Sequence, residues 1–108
     1  MTSFARACAV DDVPDGGALR VTIGKTELAI VRTEGEIHAI DDICTHAEVS
    51  LADGDIADGE IECWLHGSRF DLRSGHPIQL PATEPVAVYP VKIDGDDVLV
   101  DVAHPENR

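Results

Sequence analysis

Lysine, arginine and long apolar segments are scarce in this chain of 108 residues. Eight basic residues stand against 21 acidic ones, which gives a formal net charge of −13. This charge argues against nucleic acid as a partner, because its phosphates would be repelled. No apolar run approaches the roughly 20 residues of a membrane-spanning helix, and no secretory leader begins the chain. We therefore expect no membrane association.

The chain also lacks the usual signatures of a catalytic site. It has neither a glycine-rich nucleotide-binding fingerprint nor a nucleophile with an obvious partner base. Cysteine is rare, with three residues and no Cys-x2-Cys pair. Because no secretory leader accompanies them, these cysteines favour a reducing compartment, and we expect a cytoplasmic location. Cys8 is expected to be a small buried hydrophobic residue rather than a reactive thiol.

No long amphipathic helix is predicted, and the pattern is that of an all-β protein. Short apolar runs alternate with turns rich in Gly, Asp and Pro. We expect a single domain, residues 1–108, in which a β base carries an inserted subdomain at about 42–81. Gly24-Lys25 and Glu34-Gly35 are predicted to be tight turns of a β-meander. The predicted strands are Phe4–Val10, Leu19–Ile23, Glu27–Arg32, Glu36–Ile40, Val86–Ile93 and Val98–Val102, the last two forming a hairpin.

The most informative feature is a pair of short motifs, Cys44-Thr45-His46 and Cys63-Trp64-Leu65-His66-Gly67, with sixteen residues between His46 and Cys63. Each motif offers one thiolate and one imidazole. Two irons with unlike ligands need such a division, with thiolates on one iron and neutral imidazoles on the other. A zinc site of two Cys and two His usually has the order Cys, Cys, His, His instead. The spacing favours a two-iron cluster, while a zinc site and the absence of any metal remain alternatives.

These motifs resemble the signature of the Rieske [2Fe–2S] proteins, Cys-x-His followed at about this distance by Cys-x-x-His-Gly. The resemblance extends to His66–Asp71, to Ser74-Gly75 and to Leu80-Pro81-Ala82, which falls where Rieske proteins have a proline-bearing loop over the cluster. It implies a Rieske-like antiparallel β sandwich with an inserted cluster-binding subdomain. It also implies one [2Fe–2S] cluster in each chain.

The resemblance assigns a role to each of the four candidate ligands. Cys44 and Cys63 are expected to bind the inner iron as thiolates. His46 and His66 are expected to bind the outer iron as neutral imidazoles, at the tip of the protein where electrons leave. Two imidazoles in place of two thiolates make the cluster less negative, so that it accepts an electron more easily than an all-cysteine cluster does.

The departures from the family pattern concern the residues around the ligands. Respiratory Rieske subunits have an additional cysteine in each ligand loop, joined as a disulfide, and here the matching positions are Val49 or its neighbours and Leu65. Many soluble Rieske ferredoxins have Pro where this chain has Trp64. High-potential members place a Ser and a Tyr hydroxyl near the cluster, where this chain has Ser68 and Phe70. We therefore expect a reduction potential in the lower part of the Rieske range of roughly −150 to +300 mV.

The implied function is that of a soluble Rieske ferredoxin rather than of an enzyme. Such a carrier passes single electrons from a flavin-dependent ferredoxin reductase to a non-haem iron oxygenase, and we expect it to be a monomer. The acidic charge would steer it towards basic docking patches on these partners. The alternatives are a small accessory subunit of an assimilatory nitrite reductase and a structural zinc-binding module.

The other histidines and several acidic residues are expected to bind no metal. His38 is predicted to be half-exposed in a strand, and His76 and His104 to lie in a loop and a polar tail. Asp41-Asp42 and Asp53-Gly54-Asp55 are predicted to be solvated turns, because the spacing of a calcium-binding EF-hand is missing. Trp64 and Leu65, between two ligands, are predicted either to cover the cluster or to form an apolar rim for docking.

Overall fold

The computed structural model describes residues 4–45, 49–65, 67–79 and 83–107. In this part of the chain, eleven strands form three antiparallel sheets, and the only helical elements are two short 3-10 turns, Val10–Asp12 and Leu51–Asp53. The strands are β1 (Ala5–Ala9), β2 (Gly17–Ile23), β3 (Thr26–Thr33), β4 (Glu36–Asp41), β5 (Ile56–Ala57), β6 (Glu60–Glu62), β7 (Arg69–Asp71), β8 (Pro77–Gln79), β9 (Val88–Tyr89), β10 (Val91–Asp94) and β11 (Asp97–Val100).

The central sheet has the order β2-β3-β4-β9 and is buried on both faces. Side chains of successive residues in β3 alternate between two core clusters, because neighbouring residues of a strand point to opposite faces. Leu28 and Ile30 pack in the cluster shared with the sheet β1-β11-β10. Ala29 and Val31 pack in the cluster shared with the small sheet β5-β6-β7-β8. The predicted all-β sandwich is therefore confirmed.

The predicted meander is confirmed in its strands and in its turns. Ile23 pairs with Thr26 across the turn Gly24-Lys25, so that this turn has two residues. The turn Glu34-Gly35 has positive φ angles of 53° and 76°, as a type I′ hairpin turn requires. The chain thus reverses direction at both positions, and in each turn a glycine, Gly24 or Gly35, adopts a positive φ.

The predicted single strand Val86–Ile93 is wrong, because the chain changes sheets within it. Val88 and Tyr89 pair with β4 in the central sheet, whereas β10 begins at Val91 and pairs with β11. Pro90 lies between the two strands, and its missing N–H cannot continue a ladder of hydrogen bonds. The hairpin of β10 and β11 is confirmed, with Asp94 opposite Asp97.

Across the part of the chain that the structure covers, no helix has the length and apolar character needed to cross a membrane.

Candidate metal centre

The second ligand loop is the tip of a regular β-hairpin. Strands β6 and β7 pair up to Glu62 opposite Arg69. The N–H of Cys63 then donates to the carbonyl of Ser68 at 2.7 Å, which extends the ladder by one step. Gly67, with a φ of 75°, turns the chain back, and its N–H donates to the carbonyl of Cys63 at 2.9 Å. Cys63 is therefore held by its backbone at the base of loop 63–68.

The first ligand loop is closed by an equivalent hydrogen bond, but fewer paired residues lie below it. The N–H of Cys44 donates to the carbonyl of Val49 at 3.1 Å. Below it, Ile43 and Ser50 form an isolated antiparallel bridge rather than a continuous ladder. Loop 44–49 thus has the same length as loop 63–68, and in each loop the cysteine is the first residue.

The two loops bring Cys44 and Cys63 into one buried cluster of side chains. Cys44 is 3% exposed and Cys63 is fully buried, and both are thiols. They share this core cluster with Phe70 and with residues of the central sheet. The predictions for His46 and His66 lie outside the described residues. Without these two, the part of the chain that the structure covers contains no group of three or more potential metal ligands.

Asp42 is part of the site, although its sequence context predicts otherwise. The prediction of a solvated turn is wrong, because the Asp42 side chain is fully buried. Its Oδ1 accepts hydrogen bonds from the Ser50 hydroxyl at 2.7 Å and from the Ala52 N–H at 3.0 Å. Its Oδ2 lies 3.3 Å from Nε of Arg20, without the geometry of a hydrogen bond. Two adjacent acids after a strand carry no sequence signal that one of them is buried.

The neighbouring Asp41 is also structured rather than solvated. It is half-buried, and its Oδ1 accepts a hydrogen bond from the hydroxyl of Tyr89 at 2.7 Å. By contrast, Asp53 and Asp55 are exposed, as predicted for a solvated turn.

Ser68, the last residue of the second loop, and Phe70, on β7, are both buried. Ser68 is fully buried directly beside the closing hydrogen bond of Cys63. Phe70 is fully buried in the cluster that contains both thiols and packs in the core there. The first loop has a further tether, since the Thr45 hydroxyl donates to the carbonyl of Glu84 at 2.8 Å. The predicted covering loop Leu80-Pro81-Ala82 lies outside the described residues.

Exposed apolar side chains flank both buried cysteines. Trp64 is 52% exposed and Leu65 is 44% exposed, and they directly follow Cys63. Ile43, directly before Cys44, is 38% exposed. Apolar side chains that form a contiguous patch on a surface mark a contact site for another molecule. This exposure supports the predicted apolar rim.

The remaining cysteine and histidines of the described chain lie apart from the two loops. Cys8 is buried in the other core cluster, as predicted, and burial raises the pKa of its thiol. His38 is largely buried on β4, and this desolvation lowers its pKa, although Glu36 acts in the opposite direction. His76 is exposed, and the exposed His104 contacts Asp101 through Nδ1 at 2.9 Å.

Cys44 and Cys63, the two candidate ligands that the structure describes, are placed as a cluster with two differently ligated irons requires. Two thiols begin two loops of equal length and are buried against one apolar core, where a thiolate pair can hold one iron away from water. The next residues of each loop in the sequence include one histidine. A cluster bound there would supply one-electron chemistry and no open position for a substrate.

Comparisons with known proteins agree with this geometry. The family model for the Rieske [2Fe–2S] domain matches residues 3–90. The chain is 46% identical over 100 residues to the biphenyl dioxygenase ferredoxin subunit of Pseudomonas sp. (strain KKS102), with 92% of each chain covered. The ferredoxin of carbazole 1,9a-dioxygenase from Nocardioides aromaticivorans IC177 has a TM-score of 0.87 and 36% identity, covering 92% of this chain and 97% of its own.

A third match is a chain in the complex of reduced oxygenase and oxidized ferredoxin in carbazole 1,9a-dioxygenase. It has a TM-score of 0.85 and 32% identity, and the alignment covers 94% of both chains. These relatives are electron carriers rather than catalytic subunits, and at least 92% of each is matched. The zinc module is thereby set aside. The chain belongs to the Rieske [2Fe–2S] domain family, as an electron-transfer protein that carries a [2Fe–2S] cluster.

Proposed function

We propose that Cys44 and Cys63 bind one iron of the cluster and that His46 and His66 bind the other. The observation that carries this proposal is the equivalence of the two loops. Each cysteine is the first residue of a six-residue loop closed by its own N–H, and both thiols are buried in one core cluster. The histidines follow at the second and third positions after the cysteines. The domain is then the whole chain, 1–108, with a cluster-binding subdomain at about 42–81.

The proposed role is the transfer of single electrons from a flavin-dependent reductase to a non-haem iron oxygenase. The ferredoxin relatives serve dioxygenase systems by their names, and one of them is known in a complex with its oxygenase. The protein is proposed to act as a cytoplasmic monomer. The buried Cys44 and Cys63 would hold one iron away from water, and electrons would leave through the iron bound by the proposed histidine ligands.

The surface around the loops fits a partner with an apolar pocket bordered by basic residues. Ile43, Trp64 and Leu65 supply the apolar centre. No lysine or arginine occurs between Arg32 and Arg69, whereas ten of the 21 acidic residues do. An apolar centre with a charged border is the usual anatomy of a specific interface, and the border sets the association rate.

The ligand assignment is tested on protein prepared without oxygen. We expect two irons and two inorganic sulfides per chain and, after dithionite reduction, a Rieske-type EPR signal. Cys44→Ser and Cys63→Ser should lose the cluster, and His66→Cys should change or abolish the signal. Cys8→Ala is the matched control, because Cys8 is equally buried but lies in the other core cluster. Loss of the signal in Cys8→Ala, or its retention in Cys44→Ser, would contradict the proposed ligands.

The transfer role is tested by reconstitution with a flavin-dependent reductase and a ring-hydroxylating oxygenase. Product formation should depend on the carrier, and stopped-flow reduction rates should fall steeply as salt is raised, because the charge of −13 is screened. A free monomer that reduces the oxygenase supports the proposal. A tight complex with a sirohaem enzyme and no electron transfer to any oxygenase would instead support the accessory subunit of a nitrite reductase.

A further inference from the structure

Asp42 connects the first ligand loop to the base of the protein on both sides. Its backbone N–H donates to the carbonyl of Glu27 on β3 at 3.0 Å, which fixes Asp42 to the central sheet. Its side chain accepts from Ser50 and Ala52, which follow the loop, and its carbonyl accepts from the N–H of Leu51. One buried residue therefore binds the strand before the loop to the segment after it.

The two ligand loops differ in how much they need such a connection. Loop 63–68 continues a hairpin of three paired positions in β6 and β7. Loop 44–49 rests on a single bridge, Ile43 with Ser50, so that its ladder alone fixes little. The two hydrogen bonds to the Asp42 carboxylate take the place of the missing ladder. Groups held by side-chain contacts of this kind are the ones that orient metal ligands.

The charge of Asp42 is not required for these two hydrogen bonds. An asparagine oxygen could accept from Ser50 and Ala52 as well, without the cost of burying a carboxylate. Among the residues that the structure describes, the cation that pairs with the Asp42 carboxylate is Arg20, at 3.3 Å from Oδ2, and Arg20 also donates to Glu27 at 3.0 Å. Its guanidinium is half-exposed and therefore partly screened by water. A negative charge two residues from Cys44 is thus only partly compensated.

We propose that Asp42 is a positioning residue of the cluster. Its buried carboxylate holds the first ligand loop, and its charge makes the cluster harder to reduce, an effect that Arg20 moderates. The physical reason is that an added electron is repelled by a nearby negative charge, and the repulsion is strong where water is excluded. This inference rests on the proposed ligand Cys44, and its tests need no partner protein.

The first test measures how firmly the loop is held in the holo-protein. Asp42→Ala should shorten the lifetime of the cluster in air and raise hydrogen exchange in residues 43–52, with little change in residues 60–71. Ser50→Ala, which removes one of the two bonds, should have a smaller effect in the same region. Asp55→Asn is the matched control, because Asp55 is an exposed acid close in sequence. Unchanged exchange and lifetime in both Asp42→Ala and Ser50→Ala would overturn the holding role.

The second test measures the reduction potential, which a merely structural residue would not shift in a defined direction. Asp42→Asn keeps the acceptor oxygen and removes the charge, so the potential should rise. Arg20→Gln removes the opposing charge, so the potential should fall. Asp55→Asn should change the potential less than Asp42→Asn does, since water screens an exposed charge. A potential that does not rise in Asp42→Asn, or that rises in Arg20→Gln, would overturn the electrostatic role.

These outcomes are distinct from a failure of the proposed ligands. If the wild-type protein showed no Rieske-type signal, the ligand assignment would fail before any Asp42 variant was made. If the wild-type signal were present and the Asp42 and Ser50 variants matched the wild type, only the role of Asp42 would fail.

Discussion

Asn107 binds the C-terminal segment to both halves of the protein, and its replacement is the sharpest test of how the halves are joined. Its Nδ2 donates to the carbonyls of Ser74 at 3.0 Å and Val86 at 2.8 Å. Its Oδ1 accepts from the N–H of Val88 at 2.9 Å. Ser74 belongs to the small sheet's side of the molecule, whereas Val88 lies in the central sheet. One amide therefore links the cluster side to the base.

The expected cost of Asn107→Ala follows from these three hydrogen bonds. A net contribution of about 0.5–1.5 kcal/mol for each bond gives about 1.5–4.5 kcal/mol for the three, at the lower end if water reaches the partly buried partners. A domain of this size has a total stability of about 5–15 kcal/mol. The apparent midpoint of thermal unfolding should then fall by about 6–20 °C.

The assay is thermal unfolding of the holo-protein, followed in parallel by far-UV circular dichroism and by the visible absorption of the cluster. Glu106→Ala is the matched control, because the exposed Glu106 binds Val88 through its backbone N–H, which the substitution retains. It should unfold within about 2 °C of the wild type, since surface substitutions usually cost less than 0.5 kcal/mol. If Asn107→Ala unfolded no earlier than Glu106→Ala, the three bonds would not link the two halves.

Four further outcomes are expected. Trp64→Ala should weaken oxygenase binding by about tenfold or more in titration calorimetry, because large apolar side chains at interface centres carry most of the binding energy. Ile93 on β10 has a similar exposure, and Ile93→Ala should leave the binding unchanged. Because burial lowers the pKa of His38 in the folded protein, the His38 side chain of the unfolded chain is protonated at a higher pH than that of the folded chain. As the pH falls below 6.5, the wild type should therefore lose more stability in denaturant titrations than His38→Gln does. Gly75→Ala should unfold earlier than wild type on heating, because its Cβ would lie 2.2 Å from the carbonyl oxygen of Val86 at a φ of 76°. Cyclic voltammetry should place the potential in the lower part of the Rieske range of roughly −150 to +300 mV.

The meander and the ligand cysteines could be predicted because their signals are local. Each of the turns Gly24-Lys25 and Glu34-Gly35 contains a glycine, which favours a two-residue turn, and the preceding strand β2 alternates in polarity. The two cysteines stand in short motifs whose spacing is itself the chemical constraint. In each case a short segment of sequence determines the feature, and tertiary contacts do not change the outcome.

The change of sheets at Pro90 and the burial of Asp42 could not be predicted in the same way. A run such as Val86–Ile93 has the same apolar pattern whether it pairs with one neighbour or with two in succession. An acid after a strand is usually solvated, and only the partners Ser50 and Arg20, supplied by the fold, make burial possible. In both cases the deciding partners are distant in the chain.

Two contacts on the cluster side of the protein join residues that are further apart in sequence than the proposed ligands are from each other. Thr45 binds the carbonyl of Glu84, 39 residues away, and Asn107 binds that of Ser74, 33 residues away. The ligands set the type of a cluster and the range of its reduction potential, whereas hydrogen bonds and charges around the cluster set where the potential falls within that range. A shared motif therefore predicts the same cofactor in two family members, but it does not predict the same reduction potential. Two chains with identical motifs can differ in potential if only one of them buries an acid before its first cysteine.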